Sequence, residues 1–193
     1  VFPVYGKISE ETNERYERLP ARLEGISRKA VWTRGRHSSG LYIRFRSNST
    51  SIHAKWESLF NNTYNHMTDI CTKGLDLYAL VDGEWRFVAP GRPSADGVST
   101  FTIAKNMTPV DREFMLYLSM YDGVKSIEIG VDKGAYIEQP AVNSPSQGKP
   151  IVMYGSSILQ GGCASRPGMA FTNIIARRTD RTVFNLGFSG NAL

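Results

Sequence analysis

Two short segments near the end of the chain hold residue types that could carry covalent chemistry. Gly155-Ser156-Ser157-Ile158 follows the apolar run Ile151-Val152-Met153-Tyr154. Ser157 therefore falls where a buried strand passes into a turn ahead of a helix. A serine at such a turn can project its hydroxyl from the carboxyl end of a parallel sheet, where α/β active sites lie. Backbone N–H groups there, helped by a helix N-terminus, can hold a negative oxygen. The same residues also suit a plain tight turn, because Gly and Ser are common turn residues. The second segment, Phe184-Asn185-Leu186-Gly187-Phe188-Ser189-Gly190-Asn191, ends another apolar run in a Gly-x-Ser-Gly turn. If the two runs are neighbouring parallel strands, their ends lie side by side. The Gly190 N–H could then point toward the Ser157 hydroxyl, and glycine lets a substrate approach the main chain closely.

The elements that must position these segments change character along the chain. From about Arg28 to Asp132 the pattern is strand after strand. Lys29–Thr33 reads as the first, followed by Leu41–Arg46, Ser51–Trp56, Leu75–Val81, Trp85–Ala89, Ser99–Ala104, Phe114–Met120 and Ser126–Val131. Leu41-Tyr42-Ile43-Arg44-Phe45-Arg46 alternates apolar and basic residues, as a half-buried antiparallel strand does, which puts Arg44 and Arg46 on a solvated face. Asp82-Gly83 between two such runs marks a hairpin. About eight short strands with regular turns imply a β-sandwich, jelly-roll-like in kind. Residues 1–139 are accordingly assigned to this domain. Residues 140–150, rich in Pro, Ser and Asn, read as a linker. Beyond them, Ile151–Tyr154, a helix over Met169–Arg178 and Thr182–Leu186 form the first βαβ of a three-layer α/β domain. Residues 151–193 are too few to complete such a domain. Ile151, Met153, Ile174, Ile175, Phe184 and Leu186 are expected to stay partly exposed, with the segment docked on the sandwich, covered by another chain or poorly ordered.

Composition narrows the function classes. The chain has 193 residues, 41% hydrophobic and 21% charged, which fits a folded globular protein. Its net charge of +5 is spread among acids rather than gathered into a stripe, so nucleic acid is not an expected partner. No apolar run approaches the roughly 20 residues of a membrane span. Cys71 and Cys163 read as two separate free thiols. The chain opens Val1-Phe2-Pro3, as a processed or trimmed product would.

Gly155-Ser156-Ser157-Ile158 resembles the first sequence block of the SGNH (GDSL-like) hydrolases, Gly-Asp-Ser-[Ile/Leu], and Asn185–Asn191 resembles their second. Gly161–Met169 is similar to a subgroup in which a β-sandwich carrying a Gly-x-Asp-Leu-Tyr motif precedes the hydrolase domain. Gly74-Leu75-Asp76-Leu77-Tyr78 matches that motif residue for residue. The resemblance implies an esterase with Ser157 as nucleophile and the N–H of Gly190 in the oxyanion hole, with no metal or organic cofactor. Ser156 departs from the block's Asp, which is not the triad acid. The family's Asn block and its Asp-x-x-His block do not occur after Gly190. The expectation is that they lie beyond Leu193 and that the 193-residue chain alone is inactive.

Three histidines exist, His37, His53 and His66, all in the strand-rich part. His53 alternates within a strand, and His66-Met67-Thr68-Asp69 has the acid and base in reversed order, so none is assigned as the base. Trp32, Trp56 and Trp85 suit either core packing or stacking on sugar rings. Asp76 is expected to fix a turn or reach the domain interface. The reading is a serine hydrolase of carboxylic esters, with acyl groups on a glycan as the favoured substrate and a secreted or periplasmic location. Its alternative is a carbohydrate-binding or interaction module with a non-catalytic α/β remnant.

Overall fold

The structure, a computed structural model, describes residues 1–146 and 148–192. Gln147 of the expected linker and Leu193 lie outside the described residues. In chain order the elements are β1 (Val4–Tyr5), α1 (Lys29–Gly35), β2 (Tyr42–Ser47), β3 (Ile52–Ser58), α2 (Asp69–Lys73), β4 (Leu75–Val81) and β5 (Glu84–Gly91). They continue with β6 (Val98–Ala104), β7 (Arg112–Tyr117), β8 (Val124–Val131), β9 (Ile137–Glu138), β10 (Ile151–Gly155), α3 (Ser157–Gln160), α4 (Phe171–Thr179) and β11 (Val183–Gly187).

Two antiparallel sheets form the sandwich. One runs β1-β2-β7-β4-β5, with β9 also on β2, and the other runs β6-β3-β8. Alternate residues of both sheets meet between them. Phe45, Trp56, Leu77, Phe114 and Leu116 are essentially sealed from solvent in one core, as period-two patterning requires. Trp56 is thus a core residue, its indole N–H on the Lys73 carbonyl at 3.0 Å. The β4–β5 hairpin closes at Asp82-Gly83 with φ of 51° and 80°. Two consecutive positive φ values are what an Asp-Gly hairpin turn supplies.

Two expectations fail here. Lys29–Gly35 is a helix, not a strand: Trp32 N bonds Arg28 O at 3.0 Å and Arg36 N bonds Trp32 O at 3.2 Å. Its last turn is held from outside, by Arg18 N on Gly35 O at 3.0 Å. A run of five apolar and polar residues does not separate the two periods, and tertiary contacts decide. The face carrying Arg44 is also not solvated. Arg44 is fully buried, ion-paired to Glu113 at 2.9 Å and lying over the rings of Trp85 and Tyr5. Arg46, on the same face, remains partly exposed and pairs with Asp111 and Glu138.

The outer face of the larger sheet is buried because the α/β segment docks on it. Tyr117 Oη reaches the Asn173 carbonyl at 3.5 Å, and Arg177 lies 4.2 Å over the Tyr78 ring. Asp76, wholly buried, accepts from Gly168 N at 2.8 Å and pairs with Arg166 at 3.2 Å. The Gly-x-Asp-Leu-Tyr motif is therefore a docking element: Asp76 and Tyr78 point outward from β4 into the interface, while Leu75 and Leu77 fill the core. Docking leaves Ile151, Met153, Ile174, Ile175, Phe184 and Leu186 half-buried, as expected, and Val152 and Tyr154 exposed. No helix among the described residues is long and apolar enough to cross a membrane.

Candidate active site

The site forms where two parallel strands end. β10 and β11 pair in register from Ile151↔Val183 to Gly155↔Gly187. Phe188 N bonds Gly155 O at 2.9 Å, which ties the two exits together. Ser157 opens α3 and is half-buried, whereas Ser156 and Gly190 are exposed. The Ser157 carbonyl is gripped by Gly162 N and by the hydroxyl of Tyr121, each at 2.8 Å. The amides of Ser157 and Gly190 donate no hydrogen bond among the described residues.

A second layer holds the Gly190 turn. Gln160, fully buried, accepts from Ser189 N at 2.9 Å and donates to His37 Nδ1 at 3.0 Å and Met120 O at 3.1 Å. Accepting at Nδ1 makes His37 a neutral Nε2–H tautomer. Burial, aided by the charges of Arg18 and Arg34, lowers its pKa to about 3. Asn185 donates to Leu159 O at 2.9 Å and Thr172 Oγ1 at 3.1 Å and accepts from Gly187 N at 2.9 Å, locking β11 to α3 and α4. Arg18, buried and without a carboxylate partner among the described residues, donates to the carbonyls of Asn185 at 2.8 Å and Gly187 at 2.9 Å. Its burial pushes the guanidinium down to about 9, so it stays charged at neutral pH.

Ser157 faces a cavity of about 290 Å³ lined also by Ile158, Gly162, Cys163, Ser189, Arg34, Tyr64, His66, Met67 and Tyr121. The last five come from the sandwich domain, so both parts of the chain build this space. Sequence reasoning set His66 aside as a base, and the structure places it on the cavity wall with Nδ1 on Asn65 Oδ1 at 3.1 Å. No hydrogen bond joins it to Ser157 among the described residues. His53 is remote from the cavity, with Thr102 at 3.0 Å and Asp132 at 4.0 Å. Arg18, Arg34, Tyr64, Tyr121 and Gln160 were not legible as site residues. All but Gln160 come from the first 121 positions and meet the α/β segment only through docking. Cys71 is buried and Cys163 exposed, both as free thiols.

A family model for the N-terminus of SGNH-hydrolase-type esterases matches residues 1–137, and one for GDSL-like lipases and acylhydrolases matches residues 148–193. The chain belongs to the SGNH-hydrolase-type esterases. Among solved structures, a Bacteroides ovatus protein described as a GDSL-like lipase is 37% identical, with a TM-score of 0.92 over 99% of this chain and 55% of that one. The salicylyl-acyltransferase SsfX3 from a tetracycline biosynthetic pathway is 18% identical, TM-score 0.65, over 97% of this chain and 51% of its own. A family two carbohydrate esterase from Clostridium thermocellum, solved with cellohexaose, is 15% identical, TM-score 0.55, over 79% and 46%. The last two share the fold. The SGNH-type chain spans about half the length of these structures. No curated protein matches it.

Proposed function

We propose that this SGNH-type esterase hydrolyses carboxylic esters through Ser157, with the amides of Ser157 and Gly190 holding the oxyanion. The observation that supports the reading is that Ser157 and Gly190 follow the paired ends of β10 and β11, that neither amide donates a hydrogen bond among the described residues, and that Ser157 lines an open cavity. The hydroxyl attacks the acyl carbon, the alcohol leaves, and water releases the acid. The base is a histidine of an Asp-x-x-His block outside residues 1–193, with the acid three residues before it. Residues 1–139 are then the sandwich, 140–150 the linker, and 151–193 the first part of the hydrolase domain. Acyl groups on a glycan are the favoured substrate. The β-sandwich docked beside the serine and the likeness in fold to a carbohydrate esterase support that choice, and a secreted or periplasmic setting suits it.

A fluorophosphonate probe tests the assignment. In the full-length protein we expect the adduct on Ser157 by peptide mass spectrometry, and a loss of roughly 10⁴-fold or more in kcat on p-nitrophenyl acetate for Ser157→Ala. The 193-residue chain alone is expected to match its own Ser157→Ala control. Labelling of Ser156, or turnover by the isolated chain, would overturn the assignment as stated; the second result would point to His66.

A further inference from the structure

The cavity beside Ser157 is lined by a cationic group that pairs with no acidic side chain among the described residues. Arg34 lines it from α1, and no acidic side chain lines it. The Arg34 Nε atom is buried and has no hydrogen-bond partner, and its guanidinium forms no ion pair among the described residues. Its neighbours differ. Arg36, two residues on, is committed to Glu17 at 2.5 Å. Arg18 spends its donors on the carbonyls of Asn185, Gly187, His37 and Arg34 itself. That last bond anchors the Arg34 backbone, so the side chain projects from a fixed point. A buried donor of a charged group left unpaired is costly, and such groups are normally satisfied. An unsatisfied arginine in a cavity is a planar fork of donors matched to a carboxylate.

We propose that Arg34 is a substrate-binding residue, and that the ester this protein prefers carries a carboxylate on its acyl or alcohol part. The proposal rests on Ser157 as the reacting group. The rest of the wall fits such a ligand. Tyr64 and Tyr121 contribute aromatic rings, Met67 and Ile158 apolar surface, and His66 an imidazole at the exposed side. The space of about 290 Å³ accommodates a short chain between the ester carbon and the anionic end. In the docked arrangement the sandwich thus supplies selectivity to a serine held by the α/β segment.

Two esters of the same leaving group separate the ideas: p-nitrophenyl butyrate, which is neutral, and p-nitrophenyl hemisuccinate, which ends in a carboxylate. In the full-length protein we expect kcat/KM to favour the hemisuccinate by roughly 10- to 100-fold, the discrimination of one charge-assisted hydrogen-bond pair. In Arg34→Met the ratio should fall to about 1, mainly through KM, and Arg34→Lys should recover part of it. Succinate should inhibit the wild type competitively at concentrations where succinamide does not, which tests the idea without any variant. An unchanged ratio in Arg34→Met, no preference in the wild type, or equal inhibition by both compounds would overturn the proposal. Any of these would mean that the guanidinium is neutralised elsewhere in the full-length protein or serves only packing. Ser157→Ala distinguishes the underlying reading: if it leaves both rates intact, the reacting group is wrong, whatever the ratio shows.

Discussion

Gln160 shows how much of this site depends on a residue that performs no chemistry. Its amide has one acceptor and two donors in use, and each partner lies far away in sequence or in another element. The Ser189 amide is held by the acceptor, so the turn carrying Gly190 hangs from this side chain. Replacing it with leucine, of similar volume, strips His37 Nδ1 and the part-buried Ser189 N of these partners, while Met120 O still accepts from Ser39 Oγ. Each unsatisfied group costs about 1–3 kcal/mol. We expect Gln160→Leu to lower the unfolding free energy by about 3 kcal/mol in urea titrations. In the full-length protein kcat should fall while KM changes little, because the turn loses its fixed position. An unchanged kcat would show that the Gly190 amide is held by other means. Of these residues, only Ser157 and Gly190 could be picked out in the sequence, because their turns carry a local signature. Gln160 sits in Ile158-Leu159-Gln160-Gly161 with nothing local to mark it; its partners at positions 37 and 120 meet it only in the folded chain.

At the level of elements, the close approach of α3 to β11 sets the geometry. A Cβ on Gly187 would sit well inside contact distance of the Gln160 backbone nitrogen and Cα, which cannot move aside as a side chain can. Gly190 differs: its φ is 71°, but a Cβ there would meet nothing within 4 Å. One glycine is needed for space and the other for its dihedral. Gly187→Ala should therefore push α3 off the strand and cost about 3 kcal/mol or more, in the range of overpacking a filled core. Gly190→Ala should cost only about 1 kcal/mol, from the left-handed backbone. Thermal unfolding of both variants checks the order, and a larger loss in Gly190→Ala would refute it. The elements themselves were legible where a local rule was strong. Asp82-Gly83 marked its hairpin, the alternation of β2 and β3 marked the sandwich, and Ile151–Tyr154 with Thr182–Leu186 marked the parallel pair. α1 was not, because a tertiary clamp from Arg18 completes it. The Arg44 face was not, because alternation reports a face without saying that Tyr5, Trp85 and Glu113 will cover it.

For the molecule as a whole, two buried titratable groups pull stability in opposite directions with pH. Asp76 lies in the interface between the sandwich and the α/β segment, and burial raises its pKa to about 7, against the opposing pull of Gly168 N and Arg166. An aspartate ionises near 3.9 when unfolded. Between about pH 4 and 7 the folded state therefore binds the extra proton, and stability falls as pH rises through that window, by ~1.4 kcal/mol per unit. His37 behaves in the reverse sense. Its folded pKa of about 3 lies below the ordinary 6.5, so between those values the unfolded state binds the extra proton. Its contribution is full above about 6.5 and is lost as pH falls toward 3. From about pH 4.5 to 6 the two slopes nearly cancel, and the wild type should show little pH dependence from this pair. Asp76→Asn removes the falling term, so its stability should rise with pH over that interval by ~1.4 kcal/mol per unit. His37→Asn removes the rising term, so its stability should fall by a similar amount. Urea unfolding at pH 4.5 and 6.0 reads both slopes as differences from the wild type, which cancels the common contribution of surface carboxylates. Parallel pH profiles for the wild type and both variants would mean that neither group is shifted, and that the interface and the site are open to water where the structure closes them.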